Sequence, residues 1–389
     1  MRGRRLFWVR RGLPWTAISV CLLWHLSVGV AAAQTVRVLV AEGRTALRVA
    51  STGGLTITDV EGRRVLAQRE GGETSHLILR GNTVLIRETG ASAATLAVWP
   101  GRAATVDLEG QAYRGYLEVA RANGALAVVN VVDLEEYLFG VLKDEIPPGW
   151  PGEAAKAMAI TARTYAVYQM QQNPGALFHL RATTASQVYG GATGEDARTS
   201  LAVQATRGQI LTFGGQPLAA FYHSCSGGAT EDALDVFGPN FDTVIGVKDD
   251  FSLNCPYAFW VERLTAQQLE QAFQRIGYAV GRVVRIDDLL RSRTGRILRL
   301  AVYHTRGSLT LDGRRLREIL GNDVIRSTDF EVRADGSGFT FVGRGWGHGV
   351  GLSQWGAKEM ADLGRQHWEI LKFYYPLADI RPLTGLTGQ

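Results

Sequence analysis

The chain has 389 residues, 46% of them apolar and 20% charged, a globular balance that excludes disorder as the main state. Its 42 Lys and Arg exceed its 37 Asp and Glu, but five of the arginines and no acid fall in the first 33 residues. The rest of the chain balances at 37 of each sign, so bulk charge gives no reason to expect a nucleic-acid partner.

Residues 1–33 read as a secretory signal peptide. Arg2, Arg4, Arg5, Arg10 and Arg11 precede an apolar run from Leu13 to Val30, and Ala31-Ala32-Ala33 forms a small-residue cleavage site before Gln34. Arg4-Arg5-Leu6-Phe7 resembles the start of a twin-arginine signal, and Cys21, inside the apolar run, is a poor match for a lipid anchor. No later apolar run reaches about 18 residues, so no mature transmembrane helix is expected. The expectation is an exported protein, in the periplasm, the cell envelope or the extracellular space. At about 150 residues per domain, the remainder has room for two.

Residues 34–125 read as β-structure. Val36, Val38 and Val40 alternate, and short apolar segments follow between turn signals at Gly53-Gly54, Glu61-Gly62, Gly71-Gly72, Gly81-Asn82 and Asn123-Gly124. From Leu126 the character changes. Ala127 to Val132 is a buried-strand run, and Asp133 with Glu136 forms a capping-box pattern opening a short helix through Leu138, which Gly140 is expected to break. Pro147 and Pro148 keep 141–150 from forming a long helix, and Pro151 suits the first turn of a second helix reaching about Gln172. That helix lines up Ala154, Ala157, Met158, Thr161, Tyr165 and Tyr168 on one face, with Met158 as core.

Gln209–Phe213 and Pro217–Ser224 flank Gly214-Gly215 as a hairpin. A helix capped by Thr265 and Gln268 opens an insertion-like subregion over 265–337, with strands near 296–303 and 307–311. An alternating glycine run, Gly343 to Gly351, then leads to two helices at about 353–363 and 366–375. The fold class expected is α+β: a β-rich amino-terminal region over 34–125, a mixed α/β domain over 126–380 and a tail over 381–389.

Glu145 stands out chemically. It sits beside Ile146 with Trp150 five residues on, and a carboxyl among apolar groups holds its proton toward neutral pH, as a general acid must. The plainer alternative is an exposed loop acid beside Lys143. The glycine run does not fit a dinucleotide fingerprint, because its glycines fall every second residue. It suits close backbone approach, either to a sugar, with His348, Gln354, Trp346 and Trp355 placed to meet it, or to a neighbouring strand, with His348 buried and hydrogen-bonded. Cys225 and Cys255 suggest a disulfide in an oxidising compartment. His223, Cys225 and Cys255 as zinc ligands form the weaker alternative, since no matching second pair follows. A serine triad lacks its Gly-x-Ser-x-Gly turn.

Several segments, in order, resemble the stage II sporulation protein D (SpoIID/LytB) family of bacterial cell-wall proteins. They are Val129 to Leu138, Gly140-Val141 to Glu145-Ile146-Pro147, Trp150-Pro151, Glu153 to Ala157 and Ala162-Arg163-Thr164-Tyr165-Ala166. Ser186-Gln187-Val188-Tyr189, Phe221-Tyr222-His223-Ser224, Ser226-Gly227-Gly228 and Gly343 to Ala357 complete the set. The resemblance implies a SpoIID-like catalytic domain acting as a lytic transglycosylase on peptidoglycan glycan strands, intact or stripped of peptides. It places the catalytic acid on Glu145, with Ile146 where Met is common. Such an enzyme needs one carboxyl where a hydrolase usually needs two. Arg163, His223, Ser224, Ser226, His348 and Gln354 become candidate glycan contacts. Some relatives hold zinc through Cys and His, but the ligand set is incomplete here, so no cofactor is carried over. The resemblance also leaves open a second role, a non-catalytic glycan-binding enhancer that has a cell-wall amidase as partner.

Overall fold

The computed structural model describes residues 34–383 apart from Arg63 and Ser337, together with Met1 and Gly3. The expected signal peptide, Cys21 and the last residues of the expected tail lie outside the described residues.

The amino-terminal region is two packed sheets. The larger has seven strands in the order Leu180–Arg181, Thr35–Arg44, Ala125–Asp133, Tyr116–Ala122, Thr95–Pro100, Leu55–Asp59 and Val65–Arg69. The smaller has six, centred on Ala46–Ala50 and Thr74–Arg80. Period-two alternation turns Val36, Val38, Leu117, Val119 and Val98 toward Leu47, Val49, Leu77 and Val84, in one core. A register shift between Leu39 and Ala41 takes Val40 out of the expected alternation, and it is only partly buried. Residues 126–132 are buried without interruption because both faces of their strand are covered. Leu126, Val128 and Val132 face the sandwich core, while Ala127, Val129 and Val131 meet Leu39 and Tyr116 on the other side.

Helix α1 is Leu134–Glu145, and Asp133 caps it by accepting from the Glu135 and Glu136 N–H groups. The expected break at Gly140 does not occur. A Cβ at Gly140 would lie 2.5 Å from the Gly191 carbonyl oxygen and 2.7 Å from the Tyr189 ring, so this glycine serves close packing. The helix stops at extended Ile146, where the prolines begin, and Glu145 is its last residue rather than a loop residue.

Helix α2 is Gly152–Gln172, close to the expected span. It is buried on more than the one face expected, with Ala155, Ala159, Ile160 and Val167 covered as well as Ala154, Ala157 and Met158. Helix α3, Ala197–Ala205, packs on α1 and α2, and α4, Ala233–Phe237, follows the hairpin region. The second arm of the expected hairpin is only Gln216–Pro217. Tyr222–His223 instead pairs in parallel with Leu352–Ser353.

Residues 260–343 form their own core of Trp260, Leu269, Phe273, Leu300, Phe330 and Phe341. Two three-stranded sheets surround it with α5, Ala266–Arg275, and α6, Gly313–Leu320. The strands Trp260–Thr265 and Gly338–Gly343 pair antiparallel, so this insertion closes at its own base. The chain then returns through α7, Gln354–Asp362, and α8, His367–Tyr374, both against α2. A last strand, Asp379–Pro382, joins Gln209–Phe213, taking the start of the expected tail into a sheet.

Candidate active site

Glu145 stands where three distant segments meet the end of α1. Its Oε1 accepts the Val188 N–H at 3.0 Å, and its Oε2 accepts from Gln354 Nε2 at 3.2 Å. The Tyr222 hydroxyl supplies a further hydrogen bond. Burial pushes the carboxyl above its ordinary range; the three donors oppose the rise and neighbouring Asp144 adds to it. The site therefore holds a carboxyl whose charged form burial disfavours, with three donors placed to bond it when it is charged.

The direction of the Tyr222 hydroxyl is set from behind. Gln187 is fully buried, and its Nε2 donates to the Ala162 carbonyl at 3.3 Å. A backbone carbonyl only accepts, so this bond fixes which end of the amide is nitrogen. The same Nε2 donates to the Tyr222 hydroxyl oxygen at 3.2 Å, and Gln187 Oε1 accepts from the Tyr137 hydroxyl at 3.1 Å. Tyr222 already accepts from Gln187, which leaves its own O–H for Glu145. Burial raises both tyrosines well above the usual phenol range, so both remain donors.

Each partner is held by local structure. Tyr189, next to Val188, donates to Asn130 Oδ1 at 2.8 Å and packs against Tyr137. Tyr222 sits on the short parallel pairing with Leu352, and Gln354 begins α7, which Ser353 caps through the Gly356 N–H at 3.3 Å. The pairing needs glycine at 351, where φ is +70° and a Cβ would lie 2.0 Å from the Phe221 carbonyl oxygen. Trp355 donates its N–H to the Ser224 carbonyl at 3.0 Å and sets its ring edge-on to Trp150, centroids 5.0 Å apart.

Of the candidate contacts, Gln354 touches Glu145, and Ser224 stays half-buried beside Trp355. Three others are corrected. Arg163 is fully buried and forks onto Glu135 at 2.9 and 2.7 Å while donating to the Val203 and Gln209 carbonyls, so it ties α1 to α2 and to the following strand. Ser226 is buried and spends its hydroxyl on Asp249 at 2.8 Å and Ser252 at 2.6 Å. His223 follows Tyr222 on the strand, so alternation turns it away from Glu145. Its Nδ1 donates to the Val350 carbonyl at 3.1 Å, and burial with neighbouring His348 and Arg296 pushes its pKa well down. His348 is half-buried beside His223, rings 5.5 Å apart, and accepts the Val350 N–H at 3.0 Å. Burial and the nearby Arg317 and Arg296 push it down to about 3, so it is neutral at physiological pH.

Cys225 and Cys255 form a disulfide, which spends both sulfurs and removes them from any zinc set with His223. Among the described residues, Glu231, Asp232 and Asp235 bring three carboxylates together. Glu231 there is already bonded by the Ser292 and Thr294 hydroxyls and the Asp232 N–H. Gln187 and Tyr222 carry no catalytic signature of their own in the sequence. Their signal was their place inside two of the segments that carry the family resemblance.

A family model described as stage II sporulation protein matches residues 122–213, and a domain of unknown function matches 238–351. A protein of Brachyspira hyodysenteriae with no assigned function is 32% identical over 274 residues, covering 70% of this chain and 73% of its own. The stage II sporulation protein D of Bacillus subtilis is 33% identical over 264 residues, 64% of this chain and 74% of that one. The amidase enhancer of Bacillus subtilis is 31% identical over 287 residues, 61% of this chain but 39% of its own length.

Proposed function

This chain belongs to the stage II sporulation protein D family, and from that premise we propose that it remodels the bacterial cell wall as a lytic transglycosylase, with Glu145 as its acid and then its base. The observation that supports this reading is a half-buried carboxyl at the end of α1, pushed up by burial and bonded by the Val188 N–H, the Gln354 carboxamide and the Tyr222 hydroxyl.

Glu145 protonates the glycosidic oxygen as the bond to the sugar's C1 breaks. The carboxylate left behind accepts hydrogen bonds from Val188 N–H, Tyr222 O–H and Gln354 Nε2, which lowers the cost of the charge as it forms. It then takes the proton of the same sugar's C6 hydroxyl, whose oxygen closes on C1 as an anhydro ring. Glu145 ends protonated, ready for the next bond, and no water or second carboxylate is consumed. An ordinary hydrolase would need the second carboxyl.

The substrate lies outside the cytoplasm, so export is part of this reading. Among the described residues no helix is long and apolar enough to cross a membrane. A second reading has one specific support, the relative named as an amidase enhancer. On that reading the chain binds glycan and stimulates a cell-wall amidase without cutting. Digestion of intact and peptide-stripped peptidoglycan with purified protein, followed by mass spectrometry, separates the two. Anhydro-muramic ends are expected, and their absence from both digests overturns the transglycosylase reading in favour of the enhancer.

A further inference from the structure

A further buried carboxyl, Asp249, lies against the start of α7. Its Oδ2 accepts from the Ser226 hydroxyl at 2.8 Å and its Oδ1 from the Tyr374 hydroxyl at 3.0 Å. Tyr374 accepts in turn from the Ser353 hydroxyl, and Ser353 Oγ accepts the Ser226 N–H at 3.3 Å. The bonds close a ring, from Asp249 through Tyr374 and Ser353 to Ser226 and back, with all four residues buried. The first turn of α7 rests on this ring. A Cβ at Gly356 would lie 2.9 and 3.0 Å from the two Asp249 carboxyl oxygens and would run into the Tyr374 hydroxyl. Gln354, the donor to Glu145, is the residue after Ser353.

The carboxyl sets the direction of every bond in the ring. A carboxylate only accepts, so Tyr374 and Ser226 both turn their protons toward it. Tyr374 keeps an oxygen that can accept, and it takes the Ser353 proton. Ser353, its own proton spent, offers lone pairs to the Ser226 and Gly356 N–H groups, the second of which caps α7. Burial raises the Asp249 pKa, and the Ser226, Tyr374 and Ser252 hydroxyls oppose the rise. An apolar residue would cost less to bury but could not direct two hydroxyls. Asp249 is held in its turn. Its N–H donates to the Gly228 carbonyl at 2.9 Å, and the Cys225–Cys255 bridge ties its segment to the one carrying Ser226.

We propose that Asp249 is a positioning residue of the glycan-cutting site: by directing Tyr374 and Ser226 onto Ser353 it fixes the start of α7 and holds the Gln354 carboxamide on Glu145. The proposal rests on the reading of Glu145 as the acid, and it adds a second carboxyl that acts through Gln354 rather than on the glycan.

Asp249→Asn in the full-length protein tests this. It keeps the size but turns one acceptor into a donor, so one hydroxyl must turn away and the start of α7 is released. The Gln354 bond opposes the rise of the Glu145 pKa, so losing it moves that pKa further up. A raised carboxyl costs the fold stability as pH climbs from its ordinary value near 4.5 to its folded value, and nothing more beyond. The stability of the Glu145 protein minus that of Glu145→Gln, from urea unfolding against pH, therefore falls and then levels at the folded pKa. Asp144, Tyr137 and Tyr222, the ionisable groups beside Glu145, are the same in both proteins and cancel. With Asp249→Asn in both, the levelling point is expected to move to higher pH, and not to move once Gln354→Ala is present. Loss of a negative charge acting through space would move it to lower pH, and that result or an unmoved point overturns the proposal. If Asp249→Asn does not fold, Tyr374→Phe breaks the same ring with the carboxyl kept, and the same shift is expected of it. In cutting, kcat is expected to fall about tenfold with KM kept, the scale of one hydrogen bond. A shift in a protein whose wild type makes no anhydro ends fails the cutting reading and leaves the positioning of Gln354 standing. Anhydro ends with an unmoved levelling point fail the positioning alone.

Discussion

At the first turn of α1, Glu135 meets the Arg163 guanidinium in two parallel bonds and accepts a third from the Gly208 N–H at 3.0 Å. At the last turn, Glu145 meets an amide N–H, a carboxamide and a phenol. Both ends of the helix lead a carboxyl inward, but only one leads it to a cation. A forked ion pair fixes a charge and fastens helices, so Glu135 and Arg163 belong to the framework. Neutral donors hold a carboxyl in place without preventing protonation, so Glu145 can trade a proton. Burial does not separate the two carboxyls. The kind of partner does.

The comparison can be broken first at Glu145. Glu145→Gln keeps size and loses the exchangeable proton, and anhydro product should fall by about 10²–10⁴, toward the upper end because the residue serves two steps. Glycan binding should survive, since the proton is needed in the transition state. Product analysis of the variant at the wild-type rate would place the acid elsewhere. In the opposite half of the comparison, Arg163→Met strands Glu135 as a buried carboxyl. Urea unfolding should show a loss of about 3–5 kcal/mol, as expected when one partner of a buried pair is removed. A loss below about 1 kcal/mol would mean that the pair is not part of the framework.

Tyr222→Phe sharpens the Glu145 half. It removes one donor to the carboxylate, so the rate should drop about tenfold, the scale of one hydrogen bond. That donor holds the Glu145 pKa down against burial. Without it the pKa rises further, the acid form persists to higher pH, and the falling limb of rate against pH should move to the alkaline side. An unmoved limb would show that Tyr222 does not donate to the acid.

A third carboxyl, Glu153 at the start of α2, gives the smallest effect. Burial opposes its charge, but Lys156 at 2.6 Å and the His367 N–H and Nδ1 at 2.9 and 2.7 Å outweigh it and pull the pKa down to about 2. A depressed pKa stabilises the fold above the unfolded value near 4.5, and that gain is lost as pH falls toward 2. Glu153→Gln should therefore cost about 1 kcal/mol at pH 6 and nothing near pH 2. Paired thermal melts across that range would show a constant difference if Glu153 instead acted only through packing.

Local signals in the chain were legible wherever the physics is local. The Asp133 cap, the Thr265–Gln268 capping box, the span of α2 and its end at Asn173 depend on residues within a turn or two of each other. The pair Cys225 and Cys255 was readable from count alone, since only two cysteines follow residue 33. Gly140 and Arg163 defy a local reading because each answers to a distant neighbour. The glycine makes room for Gly191 and Tyr189, and the arginine neutralises Glu135 inside a helix covered on more than one side.

By itself, then, the sequence determined the β-rich start, the spans of α2, α7 and α8, the cap of α5 and, through the family resemblance, Glu145 as the carboxyl to watch. Tertiary structure alone decided what surrounds that carboxyl. Val188 lies 43 residues away in the chain and Gln354 lies 209 away, and the Gln187 amide that aims Tyr222 is oriented by the Ala162 carbonyl in the middle of α2. Hydrogen-bond direction and dielectric are properties of what packs around a group, and packing between segments so far apart leaves no periodicity or local motif to read.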